Sequence, residues 1–228
     1  MIPLKDENNT ISYPLIRLII LIICCIVFFI QIAYDNNFLI NYYGFKPASI
    51  FNDLGNTNFF FPLTLITSIF MHGGWLHLIG NMIYLWIFAD NVEDKLGKKT
   101  FVYFYLLSGV IGSLSHAIAD INSQVPMIGA SGAIAGILGA YLYYFPRAKV
   151  LVLIPFFIFF TVRVPAYILL IFWFIYQFIN LPVQNSSVAW LAHIGGFIFG
   201  YLFAILYKPK SKVKGKSIFV KKKDDFWN

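Results

Sequence analysis

Gly129-Ala130-Ser131-Gly132-Ala133-Ile134-Ala135-Gly136 sets one hydroxyl among small residues at the start of an apolar segment. Such a serine has two readings. With Gly132, Gly136 and Ala140 it forms a small-xxx-small face, which lets helices pack closely and needs no chemistry. Alternatively, it is a nucleophile held inside a membrane. The two are compatible, because a close helix approach is what a short contact between side chains on different helices requires. Downstream, a second apolar segment carries Ala192-His193-Ile194-Gly195-Gly196, with a single histidine near its start. Ser131 and His193 are expected to meet.

The composition around this stretch is that of a polytopic membrane protein. Hydrophobic residues make up 59% and charged ones 12%, against about 45–50% and 25% in soluble proteins. Cys24 and Cys25 are adjacent within the first apolar run, which suggests packing and neither a disulfide framework nor a metal knuckle. The net charge is +7, but the bases cluster at segment ends and in the tail. That is a topology signal, and no basic groove for nucleic acid can be drawn from it.

Leu15 to Ala33 is a 19-residue run interrupted only by Arg17 and Gln31, enough to span a core of about 30 Å. It reads as a retained signal-anchor helix. Further spans are expected at Leu76–Ala89 with its flanks, Phe101–Ala119, Met127–Phe145, Pro165–Leu181 and Val188–Tyr207. Residues 1–14 are expected to be disordered or interfacial. Tyr34–Pro62, aromatic-rich and punctuated by Gly and Pro, is expected to form an interfacial first outer loop. Val150–Phe160 is apolar but short, and contains Pro155. It falls below the roughly 17 residues needed to span, so Pro146–Arg163 is expected to be re-entrant or interfacial. The chain thus divides into a cytoplasmic N-terminal segment (1–14), a six-helix membrane domain (15–207) and a basic cytoplasmic tail (208–228).

Charge supports six spans with both termini inside. In that arrangement 16 of the 17 Lys and Arg are cytoplasmic and only Lys46 lies outside, a positive-inside pattern. A seventh span would send the eight-lysine tail outward. The simplicity of the chain suggests a bacterial-type plasma membrane. The tail itself reads as a topology determinant, with an attraction to anionic lipid of about 1 kcal/mol per base.

Six spans make the second, fourth and sixth all run inward from the outer face. Each carries its unusual polar residues near its beginning: His77 and Asn81, then Ser131, then His193. Polar groups at one depth in a membrane are functional candidates, although His77 and Asn81 could also serve as interhelical hydrogen-bond partners. A serine hydroxyl needs a base within reach, and neutral imidazole suits that role. At a helix N-terminus the backbone N–H of Ser131 would be unpaired, and His77 and Asn81, four apart on one face, could add donors to an oxyanion. No acidic residue is placed to complete a triad, so a Ser–His dyad is expected. A metal site is disfavoured, since His72 and His77 are off one helical face and no H-E-x-x-H is present.

The motifs resemble the rhomboid intramembrane serine proteases: Gly129-Ala130-Ser131-Gly132 matches G-x-S-G. His77-x-x-x-Asn81, Glu93-x-x-x-Gly97 and Ala192-His193-x-x-Gly196-x-x-x-Gly200 fit the same family in order. The resemblance implies an all-α membrane protein, a six-transmembrane-helix rhomboid-like bundle. It implies cofactor-free peptide-bond hydrolysis in the lipid bilayer, on membrane-protein substrates with a single, easily unwound transmembrane helix that enters beside the fifth span. Ser131 would be the nucleophile, His193 the general base, and His77, Asn81 and the Ser131 N–H the oxyanion site. Gly129, Gly132, Gly136, Gly196 and Gly200 would allow close packing nearby. Two positions depart from the family pattern. Ala135 stands where many relatives have an aromatic that braces the histidine, so a nearby Tyr or Phe is expected to do so, and Leu63-Thr64 replaces a Trp-Arg pair in the outer loop. The alternative function is a catalytically silent rhomboid-like protein that binds client transmembrane helices. A small transporter would need charges buried mid-helix or broken repeat helices, and the sequence has neither.

Overall fold

Ten consecutive residues of one short helix, Gly132 to Tyr141, are all buried, and the rest of the fold surrounds them. The structure is a computed structural model that describes residues 2–51, 60–155, 159–181 and 188–207. The basic tail and the outer loop 182–187 lie outside the described residues, as does 52–59 of the first outer loop. In chain order the elements are β1 (Ile2–Asp6), α1 (Leu15–Ala33), α2 (Asn36–Tyr43), α3 (Phe61–Thr67), α4 (Trp75–Leu96), α5 (Lys98–Ala117), α6 (Ser131–Tyr144), β2 (Lys149–Pro155), β3 (Phe159–Pro165), α7 (Ala166–Asn180) and α8 (Trp190–Leu206).

The architecture is mostly helical, with apolar helices at each of the six expected positions. By length and composition α1 and α5 suffice to cross a membrane, and α3 with α4 passes as a pair bent by 82°. The central helix α6 packs against α4, α5, α7 and α8, and α1 packs on α4.

Small residues explain the central packing. A Cβ on Gly200 of α8 would sit 2.6 Å from the carbonyl carbon and 2.7 Å from the Cα of Gly136. Gly196 meets the Gly132 carbonyl in the same way, and a Cβ on Gly112 of α5 would lie 3.3 Å from the Gly132 Cα. Three backbones therefore run in direct contact. Gly200→Ala is expected to destabilise the fold by about 1–3 kcal/mol through overpacking, read as a lower thermal midpoint in detergent. Gly80→Ala is the control, because nothing lies within 4 Å of a Cβ there, and its midpoint should hold.

The all-α expectation needs correction, because Pro146–Arg163, expected to be re-entrant or interfacial, contributes two strands. That stretch forms an antiparallel hairpin, and residues 2–6, expected to be disordered or interfacial, add a third strand in the order β1-β2-β3. The reason is a period of two: Val150 and Val152 are fully buried while Lys149 is exposed, and β-branched residues suit a half-buried strand. The register shifts between Pro3 and Lys5, where Pro3 has no N–H to give the ladder. The sheet caps the end of α6 opposite Ser131.

Polar residues in the spans are paired at this same end. Arg17 bonds the Trp86 carbonyl at 2.6 Å and Asp90 at 3.2 Å, and its guanidinium lies 4.0 Å above the Trp86 ring. Glu93 accepts the N–H groups of Ile16 and Arg17 at 3.0 and 2.8 Å. A carboxylate there satisfies orphan donors at the start of α1, which gives Glu93 of the Glu93-x-x-x-Gly97 motif a structural role. Gly97, at φ +79°, turns the chain between α4 and α5.

Asp6 links the sheet to the helices, accepting from Tyr141 Oη and Asn91 Nδ2, both at 2.7 Å. Burial raises its pKa from 3.8 to about 6; the Tyr141 hydrogen bond opposes the rise and the charge of Asp90 adds to it. Between those values the folded chain holds a proton that the unfolded chain has released. The stability this contributes is full below 3.8 and is lost as pH rises through about 6. The thermal midpoint of Asp6→Asn should therefore gain on wild type as pH is raised from 5 to 7, and parallel curves would contradict this assignment.

Candidate active site

Ser131 is the first residue of α6, so its N–H precedes any intrahelical acceptor and sits at the positive end of the helix dipole. The loop before it is held on two sides. Met127 and Phe45 exchange backbone hydrogen bonds of 3.1 and 2.7 Å, and the Ala48 N–H reaches the Ser123 carbonyl at 3.0 Å. Phe45 and Ala48 thus position the entry to α6. From the other side, the Gly129 N–H donates to the Ser68 carbonyl at 2.9 Å.

Gly129 has a different role from the helix packing expected of it. It lies before α6 at φ +121°, a conformation that favours glycine. A Cβ there would also lie 2.6 Å from His77 Nε2 and 3.8 Å from Asn81 Nδ2. Glycine at this position lets both side chains of α4 come up against the loop that leads into Ser131. Gly132, Gly136, Gly196 and Gly200 do pack helix on helix, as described above.

The donors at this point can be assigned. The Gly73 N–H donates to His77 Nδ1 at 3.4 Å, so the proton of the neutral ring sits on Nε2, the atom facing Gly129. Asn81 Nδ2 is buried and has no hydrogen-bond partner among the described residues. An orphan donor of that kind costs about 1–3 kcal/mol and is notable in a native fold. His72, whose ring is centred 5.2 Å from that of His77, is tied through its backbone: Gln31 brackets its N–H and carbonyl at 3.1 and 3.0 Å. That bracket also accounts for a glutamine in α1.

His193 lies in the first turn of α8 and is 8% exposed. The starts of α6 and α8 touch next to both dyad positions: a Cβ on Gly132 would lie 3.6 Å from the Ala192 carbonyl oxygen. In place of an aromatic at Ala135, two tryptophans and a glutamine lie around the His193 imidazole. The Trp173 ring is centred 5.8 Å from the imidazole and tilted by 33°, and the Trp190 ring meets it edge-on at 6.1 Å. Gln177 Oε1 lies 2.8 Å from His193 Nδ1. Sequence reading passed over Trp173 and Gln177 as parts of an apolar span. Gln177, one of two amides in α7 with Asn180, was the available signal.

Comparisons with known proteins show the family. The family described as "Rhomboid domain" matches residues 62–210. The chain is similar to "Rhomboid protein 1, mitochondrial" of Saccharomyces cerevisiae, with 31% identity over 62% of this chain and 40% of that protein. It is 33% identical to "RHOMBOID-like protein 5" of Arabidopsis thaliana over 64% of this chain and 45% of that one. "Rhomboid protease GluP" of Bacillus subtilis is 33% identical over 68% of this chain and 28% of its own length. The chain thus spans less than half the length of these relatives, and the match takes in the stretch from α3 through α8. With the family model matched over residues 62–210, the chain belongs to the rhomboid family.

Proposed function

We propose that this protein is an intramembrane serine endopeptidase that cleaves transmembrane segments of single-pass membrane proteins with a Ser131–His193 dyad. The observation that carries the proposal is the cluster at the start of α6. His77 Nε2 and the orphan Asn81 amide lie against Gly129, while the adjoining residue of Ser131 packs on the neighbour of His193. These contacts support a site drawn from α4, α6 and α8.

In the proposed mechanism His193 Nε2 takes the proton of Ser131 Oγ as the oxygen attacks the scissile carbonyl. The tetrahedral oxyanion is held by the Ser131 N–H, Asn81 Nδ2 and His77 Nε2–H. His193 then protonates the leaving amine, and water, activated by the same ring, releases the acyl group from Ser131. Donors fixed before the reaction stabilise the developing charge without reorganisation. The close backbones of α5, α6 and α8 hold that geometry.

The bundle is read as six spans with both termini on the cytoplasmic side, supported by 16 of 17 bases falling there. The test is reconstitution into liposomes with a single-span reporter and sequencing of the product ends. New termini within or just outside the reporter's apolar segment are expected. An intact reporter bound to the protein would favour the client-holding alternative.

A further inference from the structure

We propose that Gln177 is a positioning residue that fixes the tautomer and orientation of His193, acting as an uncharged third member beside the dyad. This rests on the protease reading of the site and extends it to a helix that carries none of the expected catalytic residues.

The two hydrogen bonds of the Gln177 amide define its orientation. Its Nε2 donates to the Trp173 carbonyl at 2.6 Å, one turn back in α7. A carbonyl can only accept, so that end of the amide is the NH2 group. The other end, Oε1, faces His193 Nδ1 at 2.8 Å and must accept there. Nδ1 therefore carries the proton of the neutral ring, and the lone pair is on Nε2, where a base for Ser131 must have it. Gln177 is 1% exposed, so water does not compete for the contact. Trp173, four residues before Gln177, lies against the same imidazole. One face of α7 thus supplies both a wall and an acceptor.

The choice of amide over carboxylate follows from burial. A carboxylate here would stabilise the imidazolium more strongly, but an ionised group without full pairing is expensive in a low-dielectric interior. An amide gives the same acceptor geometry with no charge to bury. The imidazolium formed during attack then relies on the amide dipole alone, and ring alignment becomes the main contribution of Gln177.

The test compares wild type, Gln177→Leu and Gln177→Glu, each checked for folding by thermal midpoint. Four quantities are read: kcat and KM on a single-span reporter, the rate of labelling by a serine-directed fluorophosphonate, and the ¹⁵N resonances of His193. Gln177→Leu should lower kcat and the labelling rate about 10–100-fold, as expected for loss of a ligand-orienting partner, with KM unchanged. Gln177→Glu keeps a carbonyl acceptor and should recover most of that loss. Wild-type His193 should show the Nδ1-protonated tautomer. A kcat for Gln177→Leu within twofold of wild type, a glutamate no better than leucine, or an Nε2-protonated ring in wild type would each overturn the proposal. If Gln177→Leu fails to fold, the wild-type tautomer and the glutamate variant still decide. Wild type that neither cleaves nor labels would reject the protease reading, and the tautomer would then test the Gln177 contact separately.

Discussion

Ser131→Ala and His193→Ala are each expected to reduce reporter cleavage to background, with the double variant falling no further. Nucleophile and base act as one unit, so losing either leaves only what binding and the oxyanion donors supply. In serine proteases such losses are about 10⁴–10⁶-fold in kcat and far from additive. Both variants should keep the wild-type thermal midpoint to within a few degrees. Ser131 opens α6 without capping it through its side chain, and alanine preserves the small volume that the α6–α8 contact needs. For His193 the readout is more demanding, because Gln177 would lose its imidazole partner. Substrate binding should survive in both, so KM or a reporter pull-down should change little. Cleavage by either variant within tenfold of wild type would mean that another residue performs the chemistry.

Asn81→Ala is expected to lower kcat by about 100–1,000-fold, the usual effect of removing one oxyanion donor. The structure adds a distinguishing feature. Asn81 Nδ2 is buried without a partner among the described residues, so removing it relieves an unsatisfied donor and should not lower stability. A variant that is much slower but equally or more stable is the signature of strain kept for function. His77→Ala should lose a comparable factor, because the ring proton assigned to Nε2 faces the same loop. The double variant should remain measurably faster than Ser131→Ala, since attack by an activated serine remains possible without the side-chain donors. Unchanged kcat in both single variants would assign these residues to packing between α4 and the α6 loop.

The parts of this fold legible in the sequence are those set by local properties. A run of apolar residues defines a span by itself, and a lone Ser, His or Asn in such a run stands out wherever it sits. Hence α1 and α4 to α8 fall where hydropathy puts them, and the polar positions at the starts of α4, α6 and α8 share one end of the bundle. The sheet was not legible, because its pairing joins residues 2–6 to 150–153 and nothing near Ile2 signals a partner so far along the chain. Val150 and Val152 held a period of two that apolar length alone concealed. Glu93 could be matched to a motif, but its role in capping α1 appears only once α1 and α4 lie side by side. At the site, Gln177 was missed for a reason that can be corrected. An amide in an otherwise apolar span deserves the same suspicion as a serine, as Gln31 in α1 shows by bracketing His72.

The most direct test is covalent. Purified protein, folded in detergent or liposomes, is treated with a fluorophosphonate, digested and mapped by mass spectrometry. One modified serine is expected, Ser131, with labelling abolished in His193→Ala and slowed in Asn81→Ala. Labelling of a different serine, or an equal rate at Ser131 without the imidazole, would contradict it.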